Sequence, residues 1–171
     1  MELLDILRSR RSIRVFQPKA IPPQEEKKLM EALRWAPSAG NLQCRRFYFV
    51  RNEAMRKSLA EAARGQSFVA EAPLLVVACA DERIEEDYGS RGKTLYGPMD
   101  VAASVQNLLL EAHVLGLGGV WVGAFDEKKV SEVLQLPRFL RPVTMVPLGY
   151  PAEKPEAPSR LSAEKLVCQV T

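Results

Sequence analysis

The 171-residue sequence predicts one α+β domain, on three observations. Strand-like and helix-like segments are interspersed, without the strict strand–helix alternation of a doubly wound sheet. The length suits one ordinary domain rather than two. The composition, 47% hydrophobic and 26% charged, is that of a typical globular protein and excludes disordered, fibrous and disulfide-scaffold classes. No repeat, low-complexity tract or linker divides the chain. Residues 1–171 therefore read as one unit, with an extended arm from about 151.

Each element has its own signal. Leu3, Leu4, Ile6 and Leu7 make a short amphipathic helix that ends near Ser9, and Arg10 to Phe16 reads as an extended link. Pro22 and Pro23 open a second helix, where proline is tolerated in the first turn. Glu25 and Glu26 lie at its positive end and Arg34 at its negative end. Leu29, Met30, Leu33 and Ala36 form its apolar stripe, and Pro37 stops it. Pro37 to Gln43, PSAGNLQ, is a loop of turn formers. Arg46 to Val50 is an aromatic strand, and Glu53 to Arg64 a helix. Pro73 to Ala80 is so continuously apolar that it predicts a central strand buried on both faces. Asp81 to Tyr96 is polar and without period, and is expected to be a mobile loop.

Met99 to Leu115 is the strongest helix. Its polar positions, Asp100, Ser104, Asn107 and Glu111, form a single narrow stripe, so the helix should be covered nearly all round. A second copy of the chain would cover it most easily, with Leu109 at the contact. Gly116 ends the helix. Gly119 to Phe125 is read as a strand, Glu127 to Leu134 as a helix and Val143 to Leu148 as a strand. Pro151, Pro155 and Pro158 mark the arm.

Composition also narrows the chemistry. The uncharged strand segment Ala72 to Ala80 spans nine residues, far below the roughly 20 of a membrane-crossing helix. The first residues carry their bases after the apolar positions, the reverse of a secretory signal, so a cytoplasmic protein without a membrane is expected. Cys44, Cys79 and Cys168 have no paired spacing and His113 is the sole histidine, so no Cys/His zinc site is predicted. His113 lies within the long helix and reads as packing or interface. Gly116, Gly118 and Gly119 follow a helix and enter a strand, the wrong order for a dinucleotide fingerprint, and no glycine-lysine-serine or glycine-lysine-threonine triplet occurs. No catalytic side chain is assigned, and the chemistry is expected to rest on a bound cofactor.

The net charge of +3 hides an asymmetry: residues 1–57 carry 13 Lys+Arg against 6 Asp+Glu, and residues 58–171 carry 11 against 15. Arg8, Arg10, Arg11 and Arg14 lie within seven positions. Guanidinium forks match phosphate oxygens, and a serine hydroxyl adds a donor. Along an extended segment Arg10, Ser12 and Arg14 would share one side and converge on an anion, with Ile13 and Val15 turned to the core. The same cluster also reads as a solvated basic turn, or as a surface for an acidic partner. A nucleic-acid surface is not expected, because no basic or aromatic series recurs. In the 37–43 loop, small residues allow a flat ring close to the backbone, and the Asn41 and Gln43 carboxamides can donate and accept. By itself such a loop also reads as a plain turn.

Arg-Arg-Ser-Ile-Arg-Val-Phe at 10–16, followed after one helix by Ala-Pro-Ser-Ala-Gly-Asn-Leu-Gln at 36–43, resembles the flavin-dependent nitroreductase family. The run from Asp100 to the glycine-rich turn and Trp-Val-Gly-Ala-Phe, then Pro-Leu-Gly-Tyr-Pro at 147–151 and Pro-Ser-Arg at 158–160, resembles the rest in order. Only residues from about 65 to 96 lack a counterpart.

The resemblance implies a nitroreductase-like α+β fold, with a central, mainly antiparallel sheet flanked by helices in an intertwined homodimer. FMN would sit at each of two subunit-interface sites. Arg10, Arg11, Ser12 and Arg14 would hold its phosphate, ribityl or pyrimidine groups, joined at the phosphate by Arg160. Pro37, Ser38, Ala39 and Asn41 would approach the flavin from the partner subunit with Gln43 close by, and Val122 and Gly123 would lie along the ring. The implied activity is ping-pong hydride transfer from NADH or NADPH to a small electron-poor acceptor such as a nitroaromatic, quinone or enone. Reductive dehalogenation, flavin reduction, an oxidase step or a non-catalytic FMN sensor remain alternatives. Two departures stand out. Pro158 replaces a frequent lysine, removing one phosphate contact, and Cys44-Arg45 replaces a common Pro-Trp, altering the pocket wall.

Overall fold

The computed structural model describes residues 2–170. Its elements are α1 (Leu3–Ser9), α2 (Pro23–Arg34), β1 (Arg45–Val50), α3 (Glu53–Ala62), α4 (Phe68–Glu71), β2 (Leu74–Asp81) and α5 (Glu85–Arg91). There follow α6 (Gly97–Val114), β3 (Gly118–Gly119), α7 (Glu127–Leu134), β4 (Leu140–Gly149) and α8 (Ala163–Leu166). One four-stranded sheet has the order β1-β2-β4-β3, and every pairing is antiparallel. This is the α+β arrangement expected above, an antiparallel sheet flanked by helices, with β2 inside the sheet and all its residues buried.

Strand alternation divides the core into two layers. Leu74, Val76, Ala78 and Ala80 of β2 pack with Val146 and Leu148 of β4 against Leu29, Leu33, Val101, Val105 and Leu108 of α2 and α6. Leu75, Val77 and Cys79 face the other way with Met145, onto Leu59, Val69 and Val130 of α3, α4 and α7. Helix starts are held locally: Asn52 accepts from the Met55 N–H before α3, and Asp126 from Lys128 and Lys129 before α7.

Four expectations need correction. Residues 81–96 are helical rather than a loop: a 3-10 turn over Glu82–Ile84, then α5, then a π turn over Gly92–Tyr96 that runs into α6. Asp81 caps the segment through Arg83 N, Lys93 pairs with Glu82 and Glu85, and the buried side is only Ile84 and Gly92. Such a narrow inner face leaves no period to read, and Gly89, at φ 59°, breaks what there is. The strand expected at 119–125 is the two-residue β3 plus a bridge from Val122 to Met145. Gly118 and Gly119 lie so close to Ile13, Leu148 and the Pro147 carbonyl that a Cβ at either would overlap them.

The polar stripe of α6 turns inward, with Asp100 and Ser104 buried, while Met99 and Val114 are more than half exposed. Leu109, expected at a contact between copies, is 6% exposed in this chain's own core. Finally, Ile13 is buried as expected, but Val15 is 48% exposed. The arm from 151 is extended except for the one turn of α8.

Candidate functional site

The segment after α1 is tied to the sheet edge where Ser12 bridges Gly119 in parallel and Ile13 N donates to the Gly119 carbonyl at 3.1 Å. That anchoring presents Arg10, Arg11, Ser12 and Arg14 along one wall of a cleft of about 300 Å³, with Pro155, Glu156, Pro158 and Arg160 opposite. The expected four arginines and serine are thus brought together. Among the described residues none of these guanidinium groups forms an ion pair. Arg11 donates to the Arg8 and Arg10 carbonyls, and Arg160 to those of Pro158 and Ser159. The Arg14 guanidinium stands 6.0 Å from the Phe68 ring centroid. Burial, and then repulsion from Arg160 and Arg11, hold the Arg10 pKa below its ordinary value. Clustered cations of this kind favour an anion between them.

Beside the cleft, a larger cavity of about 550 Å³ opens between α1, α6 and the root of the arm. There His113 Nε2 lies 2.7 Å from Ser9 Oγ. Burial, followed by the charges of Arg10 and Arg11, lowers the His113 pKa.

Val122 is 3% exposed and exchanges both backbone hydrogen bonds with Met145, at 2.9 and 3.0 Å. Gly123, next in the chain, is exposed.

The 37–43 loop lies elsewhere: none of its residues lines the basic cleft or the cavity. It is a 3-10 turn with Gly40, Asn41 and Gln43 all left-handed, at φ 54°, 57° and 55°. For the two non-glycine residues this conformation is costly and must be held from outside. Ser38 Oγ accepts from Gln43 N at 3.1 Å, and Gln43 Nε2 donates to the Asn41 carbonyl at 3.4 Å. Both Asp100 carboxylate oxygens accept from Ala39 N, at 3.0 and 3.2 Å. Burial raises the Asp100 pKa against the opposing pull of that N–H and of Arg45.

Arg45 is 5% exposed and donates to the Ala36 and Pro37 carbonyls at 2.6 and 2.8 Å, with longer contacts to Arg34 and Asp100 carbonyls at 3.4 Å. It is therefore a brace under the loop, where sequence reasoning noted only an altered pocket wall. Sequence reasoning also missed Asp100, which read only as part of the narrow polar stripe of the long helix, and Tyr88, whose hydroxyl would overlap any Cβ at Gly40. A third omission is Glu153, whose carboxylate accepts from Arg14 N and Val15 N. Only Arg45 left a signal, in standing where a Pro-Trp pair was expected.

One chain thus carries two separate constellations, a four-arginine cleft and a strained small-residue loop. Among the described residues no group of three His, Cys, Asp or Glu side chains is placed to hold a metal, and no helix is long and apolar enough to cross a membrane.

The Nitroreductase family model matches residues 7–70 and 62–150. The oxygen-insensitive NADPH nitroreductase of Salmonella typhimurium is 33% identical over 96% of this chain and 72% of its own. The NADH dehydrogenase of Thermus thermophilus is 32% identical over 92% and 91%. Among solved structures, the NADPH:FMN oxidoreductase of Vibrio harveyi complexed with NAD+ superposes with a TM-score of 0.91 at 29% identity, over 98% of this chain and 76% of that one. The chain belongs to the nitroreductase family.

Proposed function

We propose that the protein is an FMN-dependent oxidoreductase that takes hydride from NADH or NADPH and delivers it to a small electron-poor acceptor. The observation that carries this reading is the cleft of Arg10, Arg11, Ser12, Arg14 and Arg160, whose guanidinium groups lack acidic partners among the described residues. A phosphate monoester carries about −1.5 to −2 charge at neutral pH and fits such a donor set. The names of related proteins, NADPH nitroreductase and NADPH:FMN oxidoreductase, support the same chemistry.

When bound, the isoalloxazine ring supplies the redox step, and the protein supplies binding, orientation and exclusion of water. Arg10, Arg11, Arg14 and Arg160 neutralise the phosphate, with the Ser12 hydroxyl as a further donor. Gly123 leaves the approach to its backbone open, since a Cβ there would meet nothing nearer than the Trp121 ring at 3.7 Å. Asn41 and Gln43 offer carboxamides to the edge of a heterocycle, from a loop whose shape Arg45 and Asp100 hold. Because that loop does not line its own chain's cleft, we assign it to the site of a second copy, in a homodimer with two equivalent sites. No side chain of this chain is assigned a proton transfer.

Anaerobic titration is the test. Protein loaded with FMN should bleach on adding NADH or NADPH and recover its colour with a quinone or nitroaromatic. A bound flavin that neither nicotinamide bleaches would replace the enzyme with a sensor. Failure to bind FMN at all would remove both readings.

A further inference from the structure

The arm that carries Arg160 is zipped to the body along one short stretch. Gln17 N donates to the Tyr150 carbonyl at 2.8 Å, Gln17 Nε2 to the Pro151 carbonyl at 2.8 Å, and Ala152 N to the Val15 carbonyl at 2.9 Å. Phe16 and Pro151 form an antiparallel bridge. Glu153 then accepts from the N–H groups of both Arg14 and Val15 through one carboxylate oxygen, at 2.5 and 3.0 Å. Beyond it, every hydrogen bond made by described arm residues is internal to the arm: Arg160 to Pro158 and Ser159, Lys165 to Ser162, and Val167 to Ala163. Glu153 thus makes the last hydrogen bonds from arm to body before Pro155, Glu156, Pro158 and Arg160 form the far wall of the cleft.

We propose that Glu153 is a positioning residue, which clamps the arm to the Arg14–Val15 backbone and thereby sets Arg160 across the anion cleft from Arg10. An acidic side chain beside an anion site is otherwise a liability, because its charge opposes the ligand's. Here it spends that charge on two backbone donors of the very segment that carries Arg14. The inference rests on the assignment of FMN phosphate to this cleft.

The two contributions of Glu153 have opposite signs, which makes them separable. Glu153→Gln removes the charge and keeps a carbonyl acceptor, so FMN affinity should hold or tighten. Glu153→Ala removes both, so the arm should loosen and the FMN Kd rise by roughly tenfold, the scale of a lost charge-assisted contact. A role through charge alone would tighten binding in both variants.

Kd is read by quenching of FMN fluorescence on flavin-free protein, with riboflavin as the phosphate-free probe and circular dichroism to confirm folding. In an Arg160→Ala background Glu153→Ala should change the FMN Kd by less than about twofold, because the two residues act as one unit. Trypsin should cut after Arg160 and Lys165 faster in Glu153→Ala than in wild type, with no ligand present. Wild type that binds no FMN would overturn the cofactor assignment, while the trypsin comparison would still judge the clamp. Wild type that binds FMN, with Glu153→Ala unchanged or weakened equally without Arg160, would overturn the clamp alone.

Discussion

Replacing Arg45 by Met tests whether the 36–39 turn is held from beneath. Arg45 is 5% exposed, and its shortest bonds go to the Ala36 and Pro37 carbonyls at 2.6 and 2.8 Å. Methionine fills much of the same volume but donates nothing. Two carbonyls at the end of α2 then lose a charged partner, each worth about 1–3 kcal/mol when left unsatisfied. The Asp100 carboxylate loses a neighbouring positive charge that now opposes its burial. Together these set the expected loss at about 3–4 kcal/mol, or roughly 10 °C in Tm for a domain of this size. Arg45→Lys should fall between, since one ammonium cannot present a guanidinium fork. Thermal and denaturant unfolding read the stability, and FMN titration reads the loop. A loss below about 1 kcal/mol for Arg45→Met would refute the brace.

Other outcomes follow from the same geometry. Arg14→Ala should raise the FMN Kd by about tenfold or more, and unchanged affinity would remove Arg14 from the cleft's function. Gly40→Ala forces a Cβ into left-handed backbone against the Tyr88 hydroxyl and should destabilise by at least about 1–2 kcal/mol; part of that should be recovered in a Tyr88→Ala background. Because the folded His113 pKa lies below 6.5, the unfolded chain takes up this proton first as the pH falls. The His113 contribution to stability is then complete above pH 6.5 and is lost as the pH drops through the folded pKa, a slope that His113→Asn should remove. An anion that neutralises Arg10 and Arg11 should raise that pKa, visible by NMR on the chain's single imidazole. Cys79, buried and pushed up to about 12, should resist a thiol reagent in the native protein while exposed Cys168 reacts quickly; equal rates would contradict the packing of β2.

What the sequence revealed, and what it hid, follows from how local each determinant is. Strand β2 was legible because burial on both faces leaves an unbroken apolar run. Helix α2 was legible through its prolines, end charges and stripe. The 81–96 segment was hidden because its helices bury so little, and β3 because Gly118 and Gly119 are selected by close approach rather than by strand propensity. At the site, the arginines could be read from spacing along an extended segment. Asp100 could not: its carboxylate meets Ala39 N, 61 residues away in sequence, and on a helical wheel it joins an ordinary polar stripe. Glu153 was hidden for the same reason, since its partners at 14 and 15 are backbone groups that no side-chain pattern announces.

The central claim is that one chain carries two halves of different sites, and subunit mixing tests it most directly. An Arg14→Ala chain lacks the cleft half, and a Gly40→Val chain lacks the loop half. Unfolded together and refolded as an equal mixture, they should form mixed dimers in which one site receives both intact halves. At FMN concentrations too low to load either variant alone, FMN binding and NAD(P)H oxidation should then return to about a quarter of wild-type sites. A mixture no more active than its two components would contradict a site shared between copies.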